Sequence, residues 1–302
     1  MLQSYIYKKG INILLPKYQS LQSNQSGITS LLGNNHVIRF SFTLHSLFFF
    51  LKKSLPVFII DDGTLTTNDK IFLKNSFNAQ ILNSTESGGK ISKLFNQTPY
   101  LLKFRFDKNN FILKKKLDPI FISPFKKTLY LDSDILFFKK PQLILQWLTS
   151  NKSHQFYYLT YPKSTYKKYK NFRNPDFQFR RLFHQTLNRK SNIFFNSGIL
   201  LFNHNLTKQL PLLNKACSLL YQTDYVNMIL AEELLLSCLF TRTNSHQLNS
   251  NQHLTLVDEN DYQPHFKKQV ISLHYSHLSK TYFYQDSLSL LKKLIKKKFI
   301  ND

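Results

Sequence analysis

One segment in the middle of the chain constrains the fold more than any other. Residues 128–131 (Thr-Leu-Tyr-Leu) predict a buried strand, which runs into Asp132 and Asp134 before the chain turns apolar again at Ile135. An unpaired carboxylate is costly to bury, so acids at the end of a core strand need a cation or firm hydrogen-bond donors. An Asp-x-Asp pair suits a hard divalent ion that also contacts phosphate oxygens. A strand-ending turn is the alternative, because Asp and Ser favour turns, but the apolar continuation argues against it.

Strand and helix patterns alternate along the rest of the chain. Strands are predicted over 56–60, 79–82, 193–202 and 269–274, and helices over 40–53, 67–74, 111–122, 141–148, 212–221 and 231–240. This alternation predicts an α/β protein, a single domain with a mainly parallel central sheet and helices on both faces. The Ser/Thr/Gly-rich stretch through Gly88 and Gly89 is expected to be a loop.

Composition divides the chain further. Residues 1–36, rich in Ser, Gln and Asn, are expected to form a loosely structured N-terminal extension before a domain over 37–285. Within that domain, 151–190 is rich in Tyr, Lys and Arg and has Asp176 as its only acid, which fits a solvated lysine-rich loop. Residues 286–302 predict an amphipathic basic helix.

Glycine and cysteine usage excludes several classes of protein. Seven glycines in 302 residues leave no glycine-rich phosphate loop, which argues against Walker A and Rossmann dinucleotide proteins. Cys217 and Cys238 stand alone, so neither a disulfide framework nor a thiolate metal site is indicated. Without an evident signal sequence or a 20-residue apolar span, we expect a reducing cytoplasmic or organellar (plastid-like) compartment.

A net charge of +24 invites a nucleic-acid-binding hypothesis, which two observations weaken. Lysine supplies 34 of the 41 basic residues, whereas base readout favours arginine, and the lysines are spread along the chain. Lys, Asn, Ile, Phe and Tyr are abundant together, as an AT-rich coding bias would produce. We therefore expect no nucleic-acid partner, but a basic field favours nucleotide diphosphates or anionic lipid surfaces. The C-terminal helix could contact a membrane or simply pack on the domain.

Four polar clusters are expected to fall at the ends of predicted strands: Asp61-Asp62, Asp132/Asp134, Asn196-Ser197 and His274. Ligands of open parallel sheets bind beyond the carboxyl ends of the strands, so these side chains are expected to converge. An imidazole beside two carboxylates suits Mn²⁺ better than Mg²⁺ or Ca²⁺. Each cluster also has a structural explanation: a core histidine for His274, and a strand-ending turn for Asp61-Asp62-Gly63.

The ordered motifs resemble those of nucleotide-sugar glycosyltransferases of the GT-A fold, most closely glycosyltransferase family 8 (glycogenin-like). Residues 129–134 are similar to the family's metal-binding strand, and Lys116, 16 residues before Asp132, matches its nucleotide-contacting lysine. Residues 195–201 resemble the Asn-Ser-Gly strand that lines the donor sugar pocket. Glu232-Glu233 stands where the family has Asp-Gln. His274 and Lys280 resemble the closing motif, whose His binds metal and whose Lys contacts the diphosphate, although His277 replaces a glycine there.

The resemblance implies an enzyme of the hexosyltransferase type that moves a sugar from a nucleotide-diphosphate sugar, expected to be a UDP-sugar, to an acceptor hydroxyl on a glycan, lipid or protein. Asp132, Asp134 and His274 would hold Mn²⁺ (or Mg²⁺), and Lys116 and Lys280 would face the diphosphate. Asn196 and Ser197 would position the donor ring, and Asp61 or Asp62 would contact the uracil or ribose. Residues 151–190 would form the acceptor side.

The family's retaining stereochemistry would let the leaving phosphate accept the acceptor's proton. An inverting enzyme would instead use Glu232 or Glu233 as general base, although acids at a helix N-terminus commonly serve the helix dipole. Three rivals remain: a nucleotidyltransferase, disfavoured without a glycine-rich loop; a basic nucleic-acid-binding protein; and a non-catalytic GT-A-like scaffold, disfavoured because all three metal-ligand positions are present.

Overall fold

The computed structural model describes residues 25–107, 112–150, 155–162, 183, 185–188, 194–203, 206–223, 231–240, 244–276 and 279–301, with side chains as far as residue 293. Ten strands lie in these ranges: β1 (Ser26–Leu32), β2 (Val57–Asp61), β3 (Gln80–Leu82), β4 (Lys127–Leu131), β5 (Ile135–Phe137), β6 (Phe156–Thr160), β7 (Phe195–Asn203), β8 (Ser245–Gln247), β9 (His253–Leu256) and β10 (Ser272–Tyr275).

The same ranges contain ten α-helices: α1 (Val37–Leu51), α2 (Thr67–Phe77), α3 (Ser84–Phe95), α4 (Pro99–Phe106), α5 (Leu117–Phe121), α6 (Gln142–Thr149), α7 (Leu210–Gln222), α8 (Ala231–Phe240), α9 (Phe266–Gln269) and α10 (Lys280–Asn301). A 3₁₀ helix, Ile112–Lys116, leads directly into α5. None of the described helices combines the length and the apolar character that crossing a bilayer requires.

Seven strands form the central sheet in the order β3-β2-β1-β4-β7-β6-β8. The β1/β2, β1/β4, β2/β3 and β6/β8 pairs are parallel, and β7 runs antiparallel to both of its neighbours. A second sheet, β5-β10-β9, pairs β10 antiparallel with β5 and parallel with β9. The predicted α/β class with a mainly parallel central sheet and flanking helices is therefore confirmed.

The strand β1 corrects the expectation of a loosely structured extension for residues 26–32, whereas residues 1–24 lie outside the described ranges. It lies between β2 and β4, and Ile28 within it is fully buried. The pattern Ser-Gly-Ile-Thr-Ser-Leu-Leu hides the strand, because small polar residues take core positions. Two of their hydroxyls are paired inside the fold: Ser30 Oγ donates to the carbonyl of Leu131 at 2.8 Å, and Ser26 Oγ donates to that of Leu148 at 3.0 Å.

Two further differences concern local structure. The stretch expected to be a loop at Gly88-Gly89 lies inside α3, which Asn83 caps by accepting from the amide of Glu86 at 2.8 Å. Burial of Ile91 and Phe95 offsets the helix penalty of the two glycines, about 1 kcal/mol each. The C-terminal helix begins at Lys280, earlier than expected.

The segment 151–190 contains β6, which is an integral strand paired with β7 and β8. Most of its remaining residues lie outside the described ranges, so its role as an acceptor-side segment stays a prediction.

Candidate active site

Polar side chains from several helices, strands and turns meet at one edge of the central sheet. They line a cavity of about 430 Å³, a volume in the usual range for small-molecule sites. Ten of the eleven site residues predicted from the sequence line it: Asp62, Lys116, Asp132, Asp134, Asn196, Ser197, Glu232, Glu233, His274 and Lys280. Asn196 and Ser197 reach this edge at the start of β7 rather than at its end, because β7 runs against β4.

Asp132, Asp134 and His274 form a group whose ligand atoms all lie within 4.8 Å of one another. Nε2 of His274 is 3.3 Å from an oxygen of Asp134 and 3.7 Å from one of Asp132. Two carboxylates and an imidazole at this spacing could hold a divalent metal ion.

The hydrogen bonds around His274 fit metal binding. Its Nδ1 is 3.0 Å from Oδ1 of Asn196, and the same oxygen accepts from the amide of Gly198 at 3.0 Å, which identifies it as the carbonyl oxygen. Since that atom only accepts, Nδ1 of His274 donates to it, and Nε2 faces the two aspartates. Such an outer partner commonly orients a metal-binding histidine.

Positively charged neighbours keep the carboxyl group of Asp134 ionised, which is the form that binds a cation. Burial by itself raises the pKa of Asp134, but the hydrogen bond from His274 and the charges of His274, Lys280 and Arg39 hold it well below its usual value. Nζ of Lys280 lies 3.7 Å from Oδ2 of Asp134. The carboxylate is therefore ionised at any physiological pH.

Asp132 uses both of its oxygens. Oδ2 accepts a hydrogen bond from Nζ of Lys116 at 2.9 Å, and Oδ1 accepts one from the hydroxyl of Tyr130 at 2.7 Å. Lys116 also donates to Oγ of Ser197 at 3.2 Å. Burial lowers the pKa of Lys116, but the carboxylates of Asp132 and Glu232 outweigh it and raise the pKa above its usual value, so the lysine stays charged.

Glu232 and Glu233, the first acids of α8, have different surroundings. Glu233 accepts from the amide of Ser197 at 3.0 Å and from the hydroxyl of Tyr161 at 3.3 Å. Burial raises the pKa of Glu232 to about 8; Lys116 opposes this shift and Glu233 adds to it. Glu232 is therefore largely a neutral carboxylic acid near pH 7.

Asp61 and Asp62 take separate roles. Asp61 is buried and does not line the cavity: Oδ1 accepts from the amides of Gly63 at 2.8 Å and Leu65 at 3.2 Å, and Oδ2 pairs with Lys70 at 2.7 Å. This is the strand-ending turn that the sequence left open. Asp62 lines the cavity, and its carboxylate lies where a side chain at residue 33 would stand, so a larger residue there would have to displace it.

The loop after β1 contributes residues that sequence reasoning missed. His36 lines the cavity, and its Nδ1 lies 2.9 Å from the guanidinium of Arg39 and 3.1 Å from Oγ of Ser133. Burial and Arg39 lower the pKa of His36. The available signal was the apolar run before Gly33, which marks a strand end in the segment that was assigned to an extension.

Comparison with known proteins identifies the fold. No protein-family model matches this chain, and no curated protein matches it either. Among solved structures, the galactosyltransferase LgtC in complex with donor and acceptor sugar analogs has a TM-score of 0.55 and 12% identity, covering 88% of this chain and 95% of that one. Mouse xyloside xylosyltransferase 1 in its apo form has a TM-score of 0.53 and 11% identity, covering 83% and 97%.

An active-site mutant of LgtC is also similar, with a TM-score of 0.52, 14% identity, and coverage of 83% of this chain and 87% of that one. At these identities the likeness establishes architecture alone. The chain thus shares the GT-A fold of these glycosyltransferases along most of its length and most of theirs.

Proposed function

We propose that this protein is a glycosyltransferase that moves a sugar from a nucleotide-diphosphate sugar, a UDP-sugar in the first instance, to an acceptor hydroxyl with a divalent metal ion. Assignment to glycosyltransferase family 8 is part of the proposal. The observation that carries it is the group formed by Asp132, Asp134 and His274, with Lys116 and Lys280 beside it, in one cavity of a GT-A fold.

The two aspartates and His274 would hold Mn²⁺ (or Mg²⁺), which as a Lewis acid would stabilise the charge that develops on the diphosphate leaving group. Lys280 is partly exposed at the cavity and is free to swing from Asp134 onto a phosphate. Lys116 is anchored between Asp132 and Ser197, so its charge acts on the phosphates from a fixed position.

The nucleoside would bind where the lining of the cavity is partly apolar. Leu31 and Gly33 lie on one strand end, Ile112 and Leu113 belong to the 3₁₀ helix, and Asp62 supplies a carboxylate among them. Apolar walls suit a flat base, and a carboxylate accepts from a base N–H or a ribose hydroxyl. Asp62 rather than Asp61 takes this role, because both oxygens of Asp61 are already used.

Asn196 and Ser197 would border the donor sugar, with Asn196 also orienting His274. With a pKa of about 8, only a minor fraction of Glu232 has the ionised form that a general base needs near pH 7, and Glu233 accepts from the amide of Ser197. A retaining reaction, in which the leaving phosphate accepts the acceptor's proton, needs neither glutamate as a base and is the course we propose.

Turnover of a panel of nucleotide sugars, with and without Mn²⁺, tests the function. We expect metal-dependent hydrolysis or transfer that falls at least about 100-fold in Asp134→Ala, because the variant loses a metal ligand. Glu86→Ala, which changes an exposed acid outside the cavity, is the matched control.

Binding of a nucleotide sugar without turnover would instead support the non-catalytic scaffold, and absence of binding would overturn the proposal. Co-sedimentation with anionic vesicles tests peripheral membrane contact separately, and the anomeric configuration of the product tests retention.

A further inference from the structure

The backbone of the Asp-x-Asp turn is tied to the elements that carry the rest of the site. The amide of Asp132 donates to the carbonyl of Gly198 on β7 at 2.9 Å. The carbonyl of Asp134 accepts from the amide of Tyr275 on β10, also at 2.9 Å. These two bonds hold the turn beside the strands that bear Asn196 and His274.

The backbone groups on either side of Asp134 have a different partner. The hydroxyl of Thr43, on α1, donates to the carbonyl of Ser133 at 3.0 Å and accepts from the amide of Ile135 at 3.3 Å. Thr43 is fully buried, so no bulk water competes for these groups. One hydroxyl therefore bridges the two peptide groups that flank a proposed metal ligand.

The sheet topology explains why a helix supplies this bridge. β5 is an edge strand of the three-stranded sheet, paired with β10 on one side only, and α1 packs against it. Buried edge amides need acceptors. One turn further along α1, Ser46 Oγ accepts from the amide of Phe137 at 3.1 Å. Hydroxyls three residues apart on the helix thus match alternate amides of the strand edge.

We propose that Thr43 is a positioning residue for the metal site: its hydroxyl bridge sets the backbone around Asp134 so that the carboxylate faces His274 and Asp132. The inference rests on the proposed metal-dependent function. Sequence reasoning treated Thr43 only as part of a core helix, and 90 residues separate it from Ser133.

The test measures the affinity of the whole chain for Mn²⁺ alone, by electron paramagnetic resonance of the free ion or by calorimetry. Thr43→Val keeps the shape of the side chain and removes both hydrogen bonds, so we expect the Mn²⁺ Kd to rise about 10–100-fold, as it does for lost outer partners of metal ligands. Thr43→Ser keeps the hydroxyl and should stay within about threefold of the wild type.

Thr29→Val is the matched control. Thr29 is also fully buried, and its hydroxyl has no hydrogen-bond partner among the described residues, so the same substitution removes a hydroxyl that bridges nothing. Its Mn²⁺ Kd should equal that of the wild type. If Thr43→Val does not fold by circular dichroism, Thr43→Cys, with a weakly hydrogen-bonding thiol, carries the same test and should give an intermediate Kd.

The outcomes separate the two proposals. A folded Thr43→Val protein that binds Mn²⁺ as the wild type does would overturn the role of Thr43 and leave the function intact. A loss of equal size in Thr29→Val would also overturn it, since the effect would then be general. Absence of Mn²⁺ binding by the wild type would overturn the metal-dependent function itself.

Discussion

The imidazole of His274 occupies the space in which a side chain at residue 198 would stand: a Cβ on Gly198 would lie 2.5 Å from Cε1 of the ring and 3.0 Å from Oδ1 of Asn196. The glycine of the Asn-Ser-Gly motif is therefore a packing requirement of the proposed metal site. It lets β7 approach β10 closely enough for Asn196 to orient the histidine.

Gly198→Ala should displace His274 and weaken Mn²⁺ binding about 10–100-fold, because both the ligand and its orienting hydrogen bond must shift. Calorimetric titration with Mn²⁺ measures this. Gly89→Ala is the control, since a Cβ there meets nothing within 4 Å, and this helix substitution should raise stability by about 0.5–1 kcal/mol. Unchanged Mn²⁺ affinity in Gly198→Ala would contradict the packing argument.

Asp61→Asn should mainly lower the stability of the protein, whereas Asp62→Asn should mainly weaken binding of the donor. Asp61→Asn weakens a buried charge-assisted turn, so we expect a loss of about 1–3 kcal/mol in the free energy of unfolding with little change in the donor KM. Asp62→Asn should raise the donor KM about tenfold and leave stability nearly unchanged. Urea unfolding measures the stability of both variants, and steady-state kinetics measures their donor KM. The reverse pattern would show that Asp61, not Asp62, contacts the nucleoside.

Glu232 should make the protein less stable as pH rises. Its pKa is about 8 when folded and near 4.5 when unfolded, so between these values the folded state holds one more proton. The stability that this proton confers is present below pH 4.5 and is lost as pH rises to 8, by up to about 4 kcal/mol.

Glu232→Gln removes this dependence, while Lys116, Glu233 and Asp132, which face the carboxyl, are retained. We expect the unfolding free energy of the variant, measured in EDTA, to rise relative to that of the wild type as pH increases from 5 to 8. Parallel pH profiles would show that Glu232 is ionised in the fold.

His45 should lower stability in acid. Neither ring nitrogen has a hydrogen-bond partner among the described residues, the ring packs 4.8 Å from that of Phe77, and burial lowers the pKa of His45 to about 3. The unfolded state takes up a proton below about pH 6.5 and the folded state does not, so stability is lost as pH falls from 6.5 toward 3.

His45→Leu should therefore be more stable than the wild type by about 3 kcal/mol at pH 4.5, with a smaller difference at pH 7.5. Chemical unfolding at the two pH values measures this. His265→Gln, at an exposed position, is the control and should show no such difference. An equal gain in stability at both pH values would contradict the prediction, because it would show that protonation of His45 does not affect stability.

Prediction from the sequence succeeded where the signal was local. The helix predicted over 231–240 coincides with α8, and the buried strand before Asp132 coincides closely with β4. The strand β1 was missed because its small polar residues lack the apolar pattern of a core strand. Their burial depends on β2 and β4, which arrive from later parts of the chain.

The sequence by itself determined the class of fold and most of the side chains that meet at the site, because polar residues at strand ends come together at one edge of the sheet. Only the tertiary structure decided which of two adjacent aspartates faces the cavity, and why Thr43, His36 and Gly198 matter there. Those assignments depend on strand order and on hydrogen bonds between residues far apart in the chain, which no local pattern encodes.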